Sequence, residues 1–149
     1  MVTIRPAQPV DLDSLVELLK TLFAIEADFT FDEPVQQRGL SMVMESERAC
    51  LLVAEEEGAV IGMCSGQLTI STAEGGPALL VEDVVVRAEW RGRGIARRLL
   101  DNIGAWAEGQ GASRLQLLAD RNNGQALAFY RHLGWRTTEL VCLRKRTAR

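Results

Sequence analysis

The sequence is poor in the residues that form metal centres and covalent nucleophile pairs. Among 149 residues there are a single histidine, His132, and three cysteines, Cys50, Cys64 and Cys142. The cysteines form no CxxC pair and have no Cys/His spacing typical of zinc ligands. This argues against a structural metal site and against a Cys–His nucleophile pair, so we predict no metal. A reducing cytoplasm is the simplest setting for three unpaired thiols.

Long apolar runs and an excess of positive charge are also lacking. No uninterrupted apolar run approaches the ~18 residues of a membrane-spanning helix, and the opening MVTIRPAQPVDL lacks the apolar core of a signal peptide. The 17 Lys and Arg residues against 20 Asp and Glu residues give a formal net charge of −3, without the basic footprint of a nucleic-acid binder. We therefore expect a cytoplasmic protein that binds neither membrane nor nucleic acid.

Chain length and element order predict a single domain over residues 1–149. A chain of this length can bury roughly 70% of its unfolded surface, and no linker or repeat divides it. The predicted order is β-α-α-β-β-β-α-β-α-β, a mixed α/β sheet flanked by about four helices. Apolar spacing places the strands at 2–4, 50–54, 59–71, 78–86 and 114–118, with one or two more between 135 and 146, and the helices at 12–23, 35–45, 92–108 and 123–133.

The stretch LLVEDVVVRAEWRGRGIARRLL, residues 79–100, carries the most information. Its Val-rich part is typical of a buried strand, the sequence Arg91-Gly92-Arg93-Gly94 of a tight basic turn, and the residues that follow of a helix. A helix start exposes unpaired N–H groups and the positive end of the helix dipole. Glycines allow an anion to approach those groups, and arginines add charge. The stretch therefore predicts a site for a phosphorylated ligand.

Two well-known phosphate loops do not fit this stretch. A dinucleotide fingerprint would require a third Gly or Ala where Arg97 stands, and a P-loop would require Gly-Lys-Ser/Thr, which is absent from the sequence. The remaining pattern is Arg91-x-x-Gly94-x-Ala96, directly after a strand that carries Glu82-Asp83. It resembles the pyrophosphate-binding motif of the GNAT superfamily of N-acetyltransferases, which use acetyl-coenzyme A.

A second segment agrees with this resemblance. Residues 123–135, NGQALAFYRHLGW, look like the second motif of the same family, with an Asn that opens a helix, a Phe-Tyr pair and a final Gly-aromatic. Residues 82–96 also resemble the matching segment of spermidine/spermine acetyltransferases. The resemblance spans residues 79–135 and implies a GNAT-like mixed, mostly antiparallel sheet. It implies acetyl-coenzyme A as cosubstrate, held by Val84, Val86, Arg91, Gly92, Arg93, Gly94, Ile95, Ala96, Arg97 and Asn123.

Glu82 and Asp83 interrupt an otherwise apolar strand, which is costly unless each carboxylate has a partner or a chemical role. Adjacent strand residues face opposite ways, so the pattern places the two carboxylates in different surroundings. Either carboxylate could pair with a nearby arginine, and Asp83 could cap a neighbouring backbone. The resemblance favours a general base at Glu82, because an amine near pKa ~10 is protonated at neutral pH and must lose a proton before it attacks a thioester.

Two further polar residues have competing interpretations. Tyr130, the single tyrosine, is either a core aromatic or, by resemblance, the general acid that protonates the departing thiolate of coenzyme A. Asn123 is a helix cap, a role that Asn122 could equally fill, or the family's contact to the pantetheine arm. For Val84 and Val86 the resemblance implies backbone contacts, in which the Val84 N–H polarises the thioester carbonyl.

The sequence defines the amine acceptor less well than it defines the cosubstrate. Acidic residues gather between the first two predicted helices, and among them Glu26 and Asp28 are candidates for binding a cationic amine. A solvated acidic loop would give the same pattern. The leading interpretation is an N-acetyltransferase for a primary amine of a small molecule or peptide. The alternatives are a non-catalytic acyl-coenzyme A-binding sensor and a partner subunit, and a homodimer is compatible with each.

Overall fold

The computed structural model describes residues 1–26 and 28–148, and chain contacts divide it into two compact units. The first unit is Met1–Leu117, and the second contains the residues from Leu118 onward. The expectation of a single domain over residues 1–149 stays a prediction.

The first unit contains most of the secondary structure. Its elements are β1 (Thr3–Pro6), α1 (Leu12–Ile25), α2 (Glu33–Glu45), β2 (Ala49–Glu56), β3 (Ala59–Ser71), β4 (Gly76–Val86), α3 (Ile95–Gly109) and β5 (Leu115–Leu117). Each corresponds to a predicted element. Short 3₁₀ turns at Pro9–Asp11 and Ala88–Trp90 precede α1 and α3. None of the helices in the described ranges has the length and apolar character needed to span a bilayer.

The five strands form one sheet in the order β1-β2-β3-β4-β5. The first three pairings are antiparallel, and only β4 and β5 run parallel. Glu57 and Gly58 connect β2 to β3 with φ of 50° and 82°, which is the pair of positive φ angles that a tight two-residue hairpin needs. The predicted mixed, mostly antiparallel sheet with four helices is therefore confirmed.

Apolar side chains cover the sheet on both faces. On one face, Leu15 and Leu19 of α1 pack with Met63 of β3 and Val85 of β4 in one buried cluster. On the other face, α3 approaches so closely that a Cβ on Gly66 would lie 3.0 Å from Ile103 Cδ1 and 2.8 Å from a Leu79 methyl. A glycine is therefore required there for the helix to reach the sheet.

The pairing of β3 with β4 contains an irregularity that affects the site. Cys64 pairs with Val84 and Gly66 with Val81, so Ser65 alone lies opposite the two residues Glu82 and Asp83. This two-against-one arrangement is a β-bulge with the extra residue in β4. The extra residue shifts the alternation of side chains between the two sheet faces at the point where the two carboxylates lie.

The second unit contains α4 (Gly124–His132), and the prediction of strands between 135 and 146 is wrong for the residues that the structure describes. The sequence there is strand-like, but Leu140, Val141 and Leu143 are 82%, 72% and 90% exposed. A strand is stable only when another strand pairs with its backbone, and strand propensity alone does not supply that partner.

Candidate active site

The turn between β4 and α3 has the geometry of an anion site. Gly92 and Gly94 have φ of 77° and 75°, and α3 begins at Ile95, three residues later than predicted. The left-handed backbone at the two glycines delays the helix, because a helix needs right-handed φ at every residue. A Cβ on either glycine would meet no heavy atom within 4 Å. The space around the two glycines is therefore open, and the N–H groups of the first helical turn, which include those of Ile95 and Ala96, have no acceptor within the helix.

Contacts within the protein orient two arginines of the turn. Arg91 Nε donates to the carbonyl oxygen of Val86 over 3.1 Å, which ties the turn to the end of β4. The Arg93 guanidinium lies over the ring of Trp90, and its Nη2 donates to the carbonyl oxygen of Glu89 over 3.3 Å. Arg97 is exposed on the first turn of α3. Two of the three predicted phosphate ligands are thus oriented before any ligand binds.

The edge of β4 is open just before this turn. β5 pairs with β4 only over Leu79–Val81, whereas β4 continues to Val86. Among the described residues, no strand pairs with Val84–Val86 on the β5 side. A free strand edge can bind an extended, amide-bearing molecule as an additional strand. This arrangement fits the predicted backbone contacts of Val84 and Val86 with the pantetheine arm.

The bulge corrects the expectation that Glu82 and Asp83 face opposite ways. Both residues lie opposite Ser65, so both side chains point to the sheet face that α1 covers. Glu82 is exposed there, whereas Asp83 is half-buried and accepts a hydrogen bond from the Ser65 hydroxyl over 3.3 Å. The two carboxylates therefore share one sheet face, although only Asp83 is shielded from solvent.

Asp83 is the perturbed carboxyl group of this face. Burial raises the pKa of Asp83 to about 6, and the negative charges of Glu82 and Glu26 act in the same direction. The hydrogen bond from Ser65 acts against them and lowers the pKa of Asp83. A carboxyl group that titrates near neutral pH beside an open strand edge is typical of a functional site.

The acidic residues after α1 reach this face only in part. Glu26 is half-buried at the end of α1, and its charge is close enough to raise the pKa of Asp83. Asp28 lies in the loop between α1 and α2 and is exposed. The structure therefore brings Glu26 together with Asp83, whereas a role for Asp28 stays a prediction.

The second unit holds the remaining predicted residues. The Asn123 side chain caps α4, because its Oδ1 accepts the Ala126 N–H over 3.1 Å, and this decides between Asn123 and Asn122 as the cap. The Tyr130 ring packs edge-on between two aromatic rings, with centroids 5.3 Å from Phe129 and 5.8 Å from Trp135. Its packing and a chemical role for its hydroxyl are compatible. Their roles toward a ligand stay predictions.

Two features of the site were missed in the sequence. Ser65 gave no signal beyond a single polar residue in an apolar strand, and its contact with Asp83 depends on the register of β3. The stacking of Arg93 on Trp90 could have been proposed from their spacing of three residues. Within residues 1–26 and 28–148, no group of three His, Cys, Asp or Glu side chains is arranged to hold a metal ion.

Comparison with known proteins agrees with this geometry. Residues 12–135 match the family model described as "Acetyltransferase (GNAT) family", which is more than half of the chain. This chain belongs to the GNAT acetyltransferase family. The match includes the β4–turn–α3 segment and α4, and it confirms the resemblance that the two motifs indicated.

Individual relatives and structures fit the same family. An aminoglycoside N(6′)-acetyltransferase type 1 from Stenotrophomonas maltophilia is 28% identical over 142 residues, which cover 93% of this chain and 89% of that protein. The fold is similar to that of a possible acetyltransferase from Clostridium difficile 630, with a TM-score of 0.88, 20% identity and coverage of 100% and 99% of the two chains. It is also similar to the aminoglycoside N-acetyltransferase AAC(6′)-Iy in complex with CoA, with a TM-score of 0.86, 18% identity and coverage of 99% and 96%.

These findings confirm the predicted enzyme class. The chain is an N-acetyltransferase of the GNAT type, with the fold expected for it. The family match gives no support to the alternative of a non-catalytic sensor.

Proposed function

We propose that this GNAT protein transfers an acetyl group from acetyl-coenzyme A directly to a primary amine of a small molecule or peptide. The observation that carries the proposal is the open β4 edge at Val84–Val86, which leads into a glycine turn and a helix start with free N–H groups. An extended chain that ends in a pyrophosphate fits this succession of a strand edge and an anion site.

Backbone groups and side chains both take part in binding the cosubstrate. In the proposal the N–H groups of Gly92, Gly94, Ile95 and Ala96 contact the pyrophosphate, and the guanidinium groups of Arg91, Arg93 and Arg97 neutralise its charge. The backbone of Val84 and Val86 pairs with the amides of the pantetheine arm. The Asn123 side chain adds a contact to the same arm.

Glu82 prepares the amine for attack. The acceptor arrives as an ammonium ion, and the Glu82 carboxylate takes one proton from it, directly or through water. The amine nitrogen, now neutral, can form the new C–N bond with its lone pair. The Glu82 side chain is exposed to solvent. It lies on the same sheet face as α1 and beside the strand edge proposed for the cosubstrate, so an amine can reach it.

Acetyl-coenzyme A supplies the acetyl group as a thioester, and coenzyme A leaves as a thiol. The Val84 N–H polarises the thioester carbonyl, and the Tyr130 hydroxyl gives its proton to the departing sulfur. As the C–S bond breaks, the nitrogen of the new amide loses a second proton, which restores the Tyr130 hydroxyl, and Glu82 passes its proton to water. The net products are the amide, the thiol of coenzyme A and one released proton. This direct route involves no acetyl-enzyme.

The acceptor is proposed to be a small cationic amine. The Stenotrophomonas maltophilia relative is named for an aminoglycoside, which is a small polyamine. The half-buried Glu26, together with Asp28, would attract an ammonium group toward Glu82 and Asp83. We further propose that the protein is cytoplasmic, because its three cysteines are free thiols. We also propose that it forms a homodimer.

A screen of amine acceptors tests this proposal. The protein is incubated with acetyl-coenzyme A and with polyamines, aminoglycosides, amino acids or peptides, and the released thiol and the acetylated amine are both quantified. The proposal predicts equal amounts of both products with at least one amine, and a large loss of turnover in Glu82→Gln. Binding of acetyl-coenzyme A without acetylation of any amine would favour the sensor instead.

A further inference from the structure

The β4 bulge is held by a side chain rather than by backbone pairing alone. The Asp83 N–H donates to Ser65 Oγ over 3.2 Å, and the Ser65 hydroxyl donates back to Asp83 Oδ2 over 3.3 Å. Ser65 is only 3% exposed, so water does not replace it easily. Its hydroxyl supplies the partner that the extra residue of β4 cannot find in the β3 backbone.

This contact fixes the geometry of the strand on both sides of the bulge. Before the bulge Val81 pairs with Gly66, and after it Val84 pairs with Cys64. A slip of one residue would turn each later side chain and N–H group to the opposite direction, because strand geometry has a period of two. The direction of the Val84 N–H and the face of Glu82 therefore both depend on the bulge.

We propose that Ser65 is a positioning residue for acetyl transfer, whose two hydrogen bonds with Asp83 hold the β4 bulge and thereby orient Glu82 and the Val84 N–H. The inference rests on the proposed function and adds to it a residue that does not itself touch the reacting atoms. It also assigns Asp83 a role distinct from that of Glu82. Asp83 anchors the bulge, whereas Glu82 receives the proton.

The protonation state of Asp83 then affects the contact. An ionised carboxylate only accepts hydrogen bonds, so the Ser65 hydroxyl donates to it and keeps its own lone pairs for the Asp83 N–H. A neutral carboxyl carries an O–H that competes for the same Ser65 oxygen. The titratable groups whose charges act on Asp83 are Glu82 on β4 and Glu26 after α1, and the Cys64 thiol on β3 is close enough for the charge of Asp83 to act on it. Burial raises the pKa of Cys64, so this thiol stays neutral in the range where Asp83 titrates.

The chain offers a matched control for Ser65. Ser71 lies on the same strand, is 9% exposed, and accepts the Glu74 N–H on its hydroxyl oxygen over 3.1 Å. Ser65→Ala and Ser71→Ala each remove one buried hydroxyl that holds a backbone N–H. Only the former lies at the bulge.

Steady-state kinetics of the two variants distinguish positioning from stability. Ser65→Ala is expected to lower kcat by about tenfold or more, because small misplacement of reacting groups is costly. Its Kd for acetyl-coenzyme A should rise by a smaller factor than kcat falls, because the N–H groups and arginines proposed to hold the pyrophosphate lie in the turn beyond the bulge. Its low-pH loss of activity, expected as pH falls through the Asp83 pKa of about 6, should move to higher pH, because the hydrogen bond that favours the charged form is gone. Ser71→Ala should change neither kcat nor the pH profile, and Ser65→Thr, which keeps the hydroxyl, should recover most of the lost kcat.

A second measurement does not depend on turnover. The carboxyl carbon of Asp83 is titrated by NMR, and the midpoint should rise in Ser65→Ala and stay unchanged in Ser71→Ala. If Ser65→Ala does not fold, Asp83→Asn replaces it and should remove the low-pH loss of activity near pH 6 while lowering kcat. Wild-type levels of kcat and an unshifted Asp83 midpoint in Ser65→Ala would overturn the inference. A wild-type protein that acetylates no amine would overturn the proposed function instead, and the NMR titration would still report on the contact.

Discussion

The guanidinium carbon of Arg93 lies 4.5 Å from the centre of the Trp90 ring, which places the cation over the face of the indole. Trp90 is half-buried and belongs to the 3₁₀ turn that precedes the glycines, so it is better anchored than the exposed arginine. Stacking restricts the long Arg93 side chain before ligand binding. This lowers the entropy lost when the side chain contacts a phosphate.

A double-mutant cycle tests this relationship. Trp90→Leu should weaken binding of acetyl-coenzyme A about two- to fivefold, in line with the roughly 0.5–1 kcal/mol of an exposed cation–π contact. Arg93→Met should weaken it at least as much, and the two effects should not add in the double variant. Arg98→Met, which removes an exposed arginine outside the turn, is the control and should bind normally. Additive effects measured by calorimetry would show that Trp90 does not orient Arg93.

Gly94 tests the anion site itself. Gly94→Glu should weaken binding of acetyl-coenzyme A at least tenfold, about 1.4 kcal/mol, because a side chain and a negative charge enter the space of the pyrophosphate. Gly75→Glu is the matched control, since Gly75 also has open space around it and a φ of 71°, against 75° for Gly94. Equal losses of stability with unequal losses of affinity are expected. Normal binding by folded Gly94→Glu would place the pyrophosphate elsewhere.

Much of this site could be predicted because its signals are local. A Val-rich strand, two glycines and an apolar helical stripe follow one another within residues 79–100, and each reports its own backbone. Helical spacing predicts the start of α3 three residues early, because it does not reveal the positive φ of Gly92 and Gly94. Local signals thus predict β4, the turn and α3, but not the residue at which α3 begins.

Features that depend on strand register could not be read from the sequence. The bulge arises only when β3 and β4 pair, so alternation along β4 wrongly placed Glu82 and Asp83 on opposite faces. The prediction of strands between 135 and 146 is wrong for a related reason, because a strand-like composition does not ensure that a pairing strand is present. Ser65 and the shared face of the two carboxylates needed three-dimensional information.

Tyr130 tests the proposed release of the thiol. Tyr130→Phe keeps the ring that packs between Phe129 and Trp135 and removes only the hydroxyl. We expect kcat to fall roughly 10²-fold, with a small change in affinity for acetyl-coenzyme A. Phe129→Leu is the control for packing and should lower thermal stability more than kcat. Full turnover in Tyr130→Phe would leave Tyr130 a packing residue.

The acidic residues after α1 test the choice of acceptor. Neutralising Glu26 and Asp28 together should raise KM for the preferred amine, with less effect on acetyl-coenzyme A, and the increase should shrink at high salt. Glu45→Gln with Glu47→Gln removes the same charge at the other end of α2 and should leave KM unchanged. A KM that ignores both salt and the Glu26 and Asp28 substitutions would show that charge does not guide the amine.

Direct transfer is the central claim, and a single-turnover experiment followed by intact-mass spectrometry tests it most directly. Excess enzyme is mixed with acetyl-coenzyme A and an amine that the screen identified, and the reaction is stopped at successive times. The account predicts that the acetyl group passes from coenzyme A to the amine while the protein mass never changes, because the amine attacks the thioester directly. An acetylated protein that appears before the acetylated amine and then decays would contradict it.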